Sequence, residues 1–307
     1  MSAEPLLIVN PAAGAGRAGR DWSRTADRVR QAGLRFEAAL TTRPGEATDI
    51  ARQAVREGRP LVVAAGGDGT LNEVANGFFD GEDRIDSPSR LGMLPMGTGG
   101  DFRRALGLSV DPVEAAAVLT AGRARRIDAG RVTCRGQGGG SVARYFVNVA
   151  DAGIGGDVAD RVNAGFKLIS GEITFLVAAA LTLLRWRNKL MRVTIDGADR
   201  ESVLQQVVVA NSRYYGGGMQ IAPMAVPDDG LLDVVLVGDV GLVETLGLMG
   251  KVRRGAHLGH PRVEHLRARR VEVHCASAVG VDVDGERPGG LPAVFEVVPA
   301  ALEVIVP

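Results

Sequence analysis

The chain is poor in aromatic residues, in cysteine and in net charge, and the last two shortages bear on its compartment and its partners. Aromatic residues make up 4% of its 307 residues, and two cysteines are present. Cys134 and Cys275 lie far apart without a Cys-x-x-Cys spacing, so we expect ordinary buried thiols in a reducing compartment. Basic and acidic residues number 36 each. Because no general basic field results, we expect no nucleic acid partner.

Histidines and long apolar runs are also scarce. The four histidines show no zinc-ligand spacing, which argues against a structural zinc site. The longest apolar stretch, residues 173–184, has 12 residues, whereas a helix that crosses a bilayer needs roughly 18 or more. The amino end has no basic segment followed by an apolar core, so we expect no signal peptide. Together these absences predict a cytoplasmic protein.

The most informative segment is GGDGTLN, residues 66–72, which directly follows the apolar run 61–65. A short apolar run bounded by glycines is typical of a buried parallel strand, and glycines beyond its end let the backbone approach a ligand. Residues 71–79 have helical apolar spacing, and a helix N-terminus favours phosphate. Asp68 would repel a phosphate unless a divalent cation lay between them. The pattern predicts a nucleotide phosphate site with Mg²⁺, and the alternative is a glycine turn with an aspartate helix cap.

Two other segments repeat the arrangement of a strand followed by a loop of small residues. They are LGMLPMGTGGDF at 91–102, with Thr98 and Asp101 in its loop, and LLIVNPAAGAGR at 6–17. Three such units in about 100 residues predict an open α/β sheet, in which ligands collect beyond the carboxyl ends of the strands.

The chain divides into two predicted domains. Helical patterns at 21–32, 47–57 and 71–79 alternate with apolar runs up to about residue 122, which indicates a mostly parallel sheet. From residue 125 onward, strands separated by glycine turns predict an antiparallel sandwich; they are expected at 124–134, 143–149, 189–196, 202–210, 232–237, 271–275, 279–283 and 295–298. We therefore expect an α/β nucleotide-binding domain over 1–125, an all-β domain over 126–307 and an active site in the cleft between them.

Four motifs occur in a characteristic order along nearly the whole chain. They are NP at 10–11 with Gly14, GGDGTLNEV at 66–74, P-x-GT-x-x-DF at 95–102 and DGE at 284–286. Together they resemble the diacylglycerol kinase catalytic-domain family, in particular its soluble bacterial branch, to which sphingosine and ceramide kinases are related. One departure is Gly100, where the family commonly has an asparagine whose amide could contact nucleotide.

The resemblance implies a lipid kinase that depends on ATP and Mg²⁺, with a first domain like that of NAD kinase and phosphofructokinase and a second domain that takes the lipid. It implies that Glu286 accepts the proton of the acceptor hydroxyl, with Asp284 beside it, and that Asp68 acts through the metal. By spacing alone, Asp284-Gly285 predicts only a hairpin turn. The implied ATP-binding residues are Asn10, Gly14, Thr41, Gly66, Gly67, Asp68, Gly69, Thr70, Leu71, Asn72, Glu73 and Thr98. The implied metal ligands are Asp229 and the carbonyls of Val226 and Leu231, supported by a network through Asp101 and Asp128.

The lipid partner is the least specified part of the prediction. Residues 166–189 mix apolar residues with a terminal RWRNK, which suits a weak, transient, peripheral contact with the inner membrane face or simple packing on the sandwich. Exposed sheet edges are compatible with a homodimer. The acceptor lipid stays open, with a diacylglycerol type favoured. The alternatives to a lipid kinase are an NAD kinase-like enzyme and a catalytically silent nucleotide-binding module.

Overall fold

The computed structural model describes residues 4–155 and 186–307, and the chain forms two compact units. The first unit comprises Met1–Asp128 together with Ala300–Pro307, and the second comprises Ala129–Pro299. The last eight residues therefore return to the unit in which the chain begins.

The first unit is built on a parallel sheet in the order β2-β1-β3-β6, and Val304 lies parallel beside Leu91 at the far side of β6. Its strands are β1 (Leu6–Val9), β2 (Glu37–Leu40), β3 (Leu61–Gly66), β4 (Phe79–Asp80), β5 (Asp83–Arg84) and β6 (Arg90–Pro95). Its helices are α1 (Arg17–Gln31), α2 (Glu46–Arg56), α3 (Asp68–Asn76), α4 (Asp101–Leu106) and α5 (Pro112–Ala121). Because the sheet strands run parallel, the loops that follow β1, β2, β3 and β6 all lie at one edge.

Burial explains the apolar sequence of the central strands. All six residues of β3 are buried, since helices cover both faces of a parallel sheet. Helices α1 and α5 pack on one face with the core residues Val29 and Leu119. Glycine at position 92 of β6 makes room for this packing, because a Cβ there would lie 2.6 Å from Cδ2 of Leu119.

The second unit consists mainly of antiparallel strands. They are β7 (Ala124–Gly136), β8 (Ser141–Phe146), β9 (Val149–Gly153), β10 (Lys189–Ile195), β11 (Ala198–Leu204), β12 (Gln206–Ala210), β13 (Tyr214–Tyr215), β14 (Met219–Gln220), β15 (Leu232–Val237), β16 (Val263–Ala268), β17 (Arg270–Cys275), β18 (Gly280–Val283) and β19 (Glu286–Ile305). A helix, α6 (Leu242–Val252), and a 3₁₀ turn (Ala256–Gly259) follow β15. Strands β7 and β19 each have residues in both units.

Two sheets enclose the core of the second unit. One has the order β16-β15-β12-β9-β18-β19, and the other has the order β11-β10-β17-β19; β7 also pairs with β19, and β8 pairs with β7. Phe146, Val207 and Phe295 are among the fully buried side chains between them. Helix α6 packs on the outer face of the first sheet through Leu248 and Val252. The predicted fold class, an open parallel α/β unit followed by an antiparallel sandwich, is confirmed.

Some predicted boundaries are wrong for a local reason. Residues 202–210 form two strands, β11 and β12, because the pairing of β11 with β10 ends at Leu204. The backbone of Gln205 bonds to other segments: its N–H donates to the Val237 carbonyl (2.8 Å) and its carbonyl accepts from Ile154 N–H (3.3 Å). Residues 143–149 are likewise divided between β8 and β9, and α3 begins at Asp68, not at residue 71. Among the described residues, no helix has both the length and the apolar character needed to span a membrane.

Candidate active site

The GGDG segment forms the passage from β3 into α3. Gly66 ends the strand, and Gly67 precedes the helix in an extended conformation with no side-chain cap. The first backbone N–H groups of a helix have no acceptor within the helix, so those of α3 point out of its amino end. The loop after β6 packs directly on this passage, because a Cβ at Gly97 would lie 2.5 Å from Cα of Gly67. The two glycine loops can approach each other this closely only without side chains.

Asp68 fastens these two loops together. Its Oδ2 accepts a hydrogen bond from Gly100 N–H (2.6 Å) and its Oδ1 accepts from Phe102 N–H (3.1 Å), at the start of α4. The sequence predicts this carboxylate as a group that acts on a cation. The structure gives it a positioning role that the sequence did not reveal, and its action on a cation stays a prediction.

Asn10 and Thr70, both predicted ATP-binding residues, meet in the structure. The Asn10 amide donates to Oγ1 of Thr70 (3.0 Å), and its Oδ1 accepts from Ala12 N–H (2.9 Å), which forms the turn after β1. Thr70 in turn lies over Gly66, where a Cβ would be 2.4 Å from Thr70 Oγ1. Gly14, in the same loop, has φ 61°, a left-handed conformation that favours glycine. These contacts join the ends of β1 and β3.

A cavity of about 150 Å³ lies beside these loops. Its lining includes Gly67, Gly97, the exposed Thr98, Arg103 and Arg104. The Arg104 guanidinium donates to the Gly99 carbonyl (2.5 Å) and to Oδ1 of Asp101 (3.2 Å). The two arginines were not among the predicted site residues. The signal that could have found them is their place in the first turn and a half of the helix that opens with Asp101, directly after the glycine loop.

Other predicted ATP-binding residues do not line this cavity. The Leu71 side chain is fully buried in the core. Asn72 is also buried and accepts a hydrogen bond from the Asn76 amide (3.2 Å). The Glu73 carboxylate accepts from Ala47 N–H (3.2 Å) in the first turn of α2. Thr41 is half-buried at the end of β2, at the same sheet edge as the glycine loops.

The predicted supporting residues Asp101 and Asp128 are both buried. Asp101 forms the ion pair with Arg104 that fixes the first turn of α4. Oδ1 of Asp128 accepts a hydrogen bond from Ala300 N–H (2.7 Å). This bond joins the residue at which the chain leaves the first unit to the residue at which β19 returns to it. Both carboxylates therefore have structural partners within the first unit.

In the second unit, the Asp-Gly-Glu motif forms a two-residue hairpin turn between β18 and β19. Val283 pairs with Glu286, and Asp284 and Gly285 have φ values of 50° and 90°, as type I′ turns require. The Asp284 carboxylate accepts hydrogen bonds from three successive N–H groups, those of Val147 (2.9 Å), Asn148 (3.2 Å) and Val149 (2.8 Å). The turn is thus anchored at the break between β8 and β9, while Glu286 is exposed at its end.

Two aspartates that the sequence analysis did not select lie next to this turn. Asp151 of β9 and Asp282 of β18 are register partners on neighbouring strands, and their exposed fractions are 2% and 7%. Oδ1 of Asp282 accepts from Gly285 N–H in the turn (2.9 Å). Within residues 4–155 and 186–307, neither Oδ1 of Asp151 nor Oδ2 of Asp282 has a hydrogen-bond partner. Two carboxyl groups are therefore buried side by side with one oxygen each unsatisfied.

The ionisation of this pair follows from its burial. Burial raises the pKa of Asp151 to about 7, and the Gln206 amide only partly opposes that rise. Burial also raises the pKa of Asp282 well above its ordinary value, and the neighbouring charge of Asp151 raises it further. Loss of both protons would place two negative charges together in the core, so the pair retains a proton near neutral pH.

The predicted metal ligands lie in the turn before β15. Oδ1 of Asp229 accepts from Leu231 N–H (3.0 Å), and its other oxygen is paired with the Arg267 guanidinium. With the Val226 and Leu231 carbonyls the donor set would be oxygen-only, as Mg²⁺ prefers, but a cation would have to displace Arg267. In the part of the chain that the structure describes, no group of three or more His, Cys, Asp or Glu side chains is arranged to hold a metal ion.

The predicted lipid-side segment falls largely outside the described residues, which resume at Trp186. Trp186 is half-buried and packs against the core of the sandwich, with the Lys189 ammonium 5.8 Å from the centre of its ring.

Comparison with known proteins relates both units to kinases. Residues 4–132 match the family model "Diacylglycerol kinase catalytic domain", and residues 148–306 match "YegS C-terminal NAD kinase beta sandwich-like domain". The diacylglycerol kinase of Staphylococcus saprophyticus is 31% identical over 303 residues, which is 98% of this chain and 94% of that protein. The diacylglycerol kinase of Bacillus subtilis is 29% identical over 302 residues, 98% of this chain and 95% of that protein. A crystal structure of a candidate diacylglycerol kinase from Bacillus anthracis has a TM-score of 0.78 at 25% identity and covers 99% of this chain and 97% of its own.

Proposed function

The chain belongs to the diacylglycerol kinase family and is a lipid kinase, and from that premise we propose that it transfers the γ-phosphoryl group of ATP to the free hydroxyl of a diacylglycerol, with Mg²⁺ as the cation. The observation that supports ATP as the phosphate donor is the cavity at the joined glycine loops. Glycines of both loops line it, Gly66 and Gly67 just before α3 and Gly97, Gly99 and Gly100 after β6, together with the cations Arg103 and Arg104. Such a space favours a phosphate anion.

The size of the cavity supports an assignment to the phosphate end of the nucleotide. Its volume of about 150 Å³ is below the roughly 300–1,000 Å³ of sites that enclose a whole drug-sized ligand. Asn10 and Thr70 hold the β1 and β3 loops together, and Asp68 holds the β3 and β6 loops together. These three side chains therefore preorganise the phosphate site, as phosphoryl transfer requires, because its catalysis is mainly positioning and charge neutralisation.

Mg²⁺ would neutralise negative charge on the phosphates during transfer. Asp229 with the carbonyls of Val226 and Leu231 remains the proposed oxygen donor set in the second unit. Asp68 is proposed to hold the β3 and β6 loops together, and this role does not depend on whether it also acts on a cation.

Glu286 is the proposed base for the acceptor hydroxyl. Its carboxylate is exposed on a turn that three hydrogen bonds to Asp284 and one to Asp282 hold in place. An exposed glutamate on an anchored turn has a defined position at the surface, and a general base has to be held in such a position to come within reach of the hydroxyl. Asp284 is accordingly a positioning residue, since its oxygens are engaged with the backbone at Val147–Val149.

The experiment is phosphate transfer from labelled ATP with Mg²⁺ to short-chain diacylglycerol in mixed micelles. Glu286→Gln should lower kcat by about 10²- to 10⁴-fold, the usual contribution of a general base, while ATP affinity stays close to that of the parent protein. Glu201→Gln, at an exposed glutamate of β11, is the matched control and should leave kcat unchanged.

Other outcomes decide between the alternatives. Phosphorylation of NAD but of no lipid would support an NAD kinase-like enzyme. Binding of ATP without product on any acceptor would support a silent nucleotide-binding module. Unchanged kcat in Glu286→Gln would refute the assignment of the base while leaving the kinase activity in place.

A further inference from the structure

Helix α6 exposes a compact apolar surface that the fold does not require. Val243 is 83% exposed, Leu246 50% and Leu242 40%, three of the eight large apolar side chains exposed in the described part of the chain. The helix is anchored to the sandwich by its opposite side, through Leu248 and Val252. Exposed apolar side chains that cluster on one helix face are typical of an interaction surface.

The same face of the helix becomes basic toward its carboxyl end. Val243, Leu246 and Gly250 follow a spacing of three and seven residues, which places them along one side of the helix, and Arg253 and Arg254 follow in the turn at its carboxyl end. Lys251 and Arg253 are exposed beside them. Within residues 4–155 and 186–307, none of Lys251, Arg253 and Arg254 takes part in an ion pair. Among the described residues, these three charges therefore have no acidic partner in an ion pair.

The one acidic residue of α6 does not reduce this charge at the surface. Glu244 faces Nε2 of His260 (3.2 Å) and Nη1 of Arg262 (3.6 Å), and it accepts from Gly241 N–H (3.3 Å) at the start of its own helix. Its carboxylate is thus occupied by neighbours at the amino end of the helix.

A second basic segment is fixed close to the amino end of α6. The Asn188 amide donates to Oδ1 of Asp239 (2.8 Å) and to the Val240 carbonyl (3.0 Å), just before the helix begins. This tether holds the exposed Arg187 and its neighbour Lys189 near the turn from which Leu242 and Val243 project. Basic side chains therefore lie toward both ends of the apolar surface.

We propose that this face of α6 docks the protein on a bilayer that contains anionic phospholipid. Val243 and Leu246 enter the boundary between headgroups and acyl chains, and Arg253 and Arg254 contact lipid phosphates. A helix with this division of apolar and basic residues lies in the interface plane, and its binding combines apolar burial with electrostatic attraction. The inference rests on the proposed function, because an acceptor with long acyl chains stays in the membrane and the kinase has to meet it there. Three apolar side chains give weak binding, so we expect docking to depend on anionic lipid and to decrease with salt.

The test is co-sedimentation of the full-length protein with extruded vesicles of phosphatidylcholine, with and without 30% phosphatidylglycerol. The parent protein should bind the anionic vesicles and lose binding in 0.5 M NaCl. The double variant V243E/L246E should bind at least about tenfold more weakly, and R253A/R254A should weaken binding only to the anionic vesicles. The matched control is Val203→Glu, which changes a residue of β11 that is 40% exposed on the other sheet, and it should bind like the parent.

Activity on two substrates separates this inference from the proposed function. V243E/L246E should lose at least about tenfold in kcat/KM on long-chain diacylglycerol in vesicles and keep the parent's value on dispersed short-chain diacylglycerol. Loss on neither substrate, or equal weakening of vesicle binding by Val203→Glu, would overturn the docking surface. A dimer that becomes monomeric in V243E/L246E by light scattering, with vesicle binding unchanged, would overturn it in favour of a self-association face. Failure of all variants to phosphorylate either lipid would count against the proposed function alone, since vesicle binding is measured separately.

Discussion

The buried pair Asp151 and Asp282 predicts an unusual dependence of stability on pH. Asp151→Asn keeps the size of the side chain and removes its ability to ionise. The pKa of Asp151 is about 7 in the folded chain, against an ordinary value of 3.8, because burial disfavours the carboxylate. Folding therefore strengthens proton binding at this position, which is opposite to the effect on a carboxylate that is stabilised by a cation.

The direction and size of the effect follow from linkage. A carboxyl group whose pKa rises on folding contributes stability that is fully present below the unfolded pKa of 3.8 and is lost as the pH rises through about 7. Each pH unit between these values is equivalent to about 1.4 kcal/mol. The interval from 3.8 to about 7 therefore corresponds to about 4 kcal/mol of unfolding free energy, all of which is lost by pH 8. Asp151→Asn does not undergo this loss, so we expect it to equal the parent near pH 4 and to be more stable by up to about 4 kcal/mol at pH 8.

Urea unfolding measures this difference if the signal comes from the second unit alone. Trp186 packs against the core of that unit, and a Trp22→Phe background removes the other tryptophan, which contacts Phe36 in the first unit. The matched control is Asp199→Asn, which makes the same chemical change at an exposed aspartate of β11, outside the core. A stability difference between Asp151→Asn and the parent that is the same at pH 5 and pH 8 would refute the shared proton.

Two further substitutions test the anchoring of the loops. Asp284→Ala removes the acceptor of the Val147, Asn148 and Val149 N–H groups. We therefore expect a loss of about 2–4 kcal/mol in unfolding free energy and faster hydrogen exchange at these three amides, and Asp284→Asn should give intermediate values. Unchanged exchange would contradict the anchoring role. Gly97→Ala places a methyl group 2.5 Å from Cα of Gly67, so ATP should bind at least about tenfold more weakly in a fluorescent-nucleotide titration. The control Gly138→Ala, in the turn between β7 and β8, has nothing within 4 Å of the added Cβ, and equal affinity in the two variants would contradict the close approach of the loops.

The sequence predicted the parts of the fold that local patterns encode. The apolar run before the GGDG loop forms β3, and residues 232–237 form β15 with the predicted bounds. The alternation of strands and helices, and the later change to strands with glycine turns, predicted both architectures. These features depend on residues that are neighbours in sequence, such as the glycines that flank a buried strand.

Features that depend on distant residues were beyond sequence reasoning. The hydrogen bond between Asp128 and Ala300 and the pairing of Val304 with Leu91 are set by the sheet and not by local composition. The break between β8 and β9 is likewise set by a carboxylate 135 residues later, Asp284. Helix α6 was not predicted, because its apolar residues face both the sandwich and the outside and so give no clear helical period.

The acidic residues show most directly where sequence reasoning succeeds and fails, and they determine which substitution is informative. A carboxylate within a glycine-containing motif suggests ligand chemistry, yet Asp68, Glu73 and Asp284 accept hydrogen bonds from backbone N–H groups of other segments. In the described part of the chain, the buried carboxylates with an unsatisfied oxygen are Asp151 and Asp282, which lie in apolar strands where no motif marks them. Loss of activity in Asp68→Ala or Asp284→Ala would therefore not separate chemistry from loop displacement. Glu286→Gln does separate them, because the turn that carries Glu286 is held by Asp282 and Asp284 and is retained when Glu286 itself is changed.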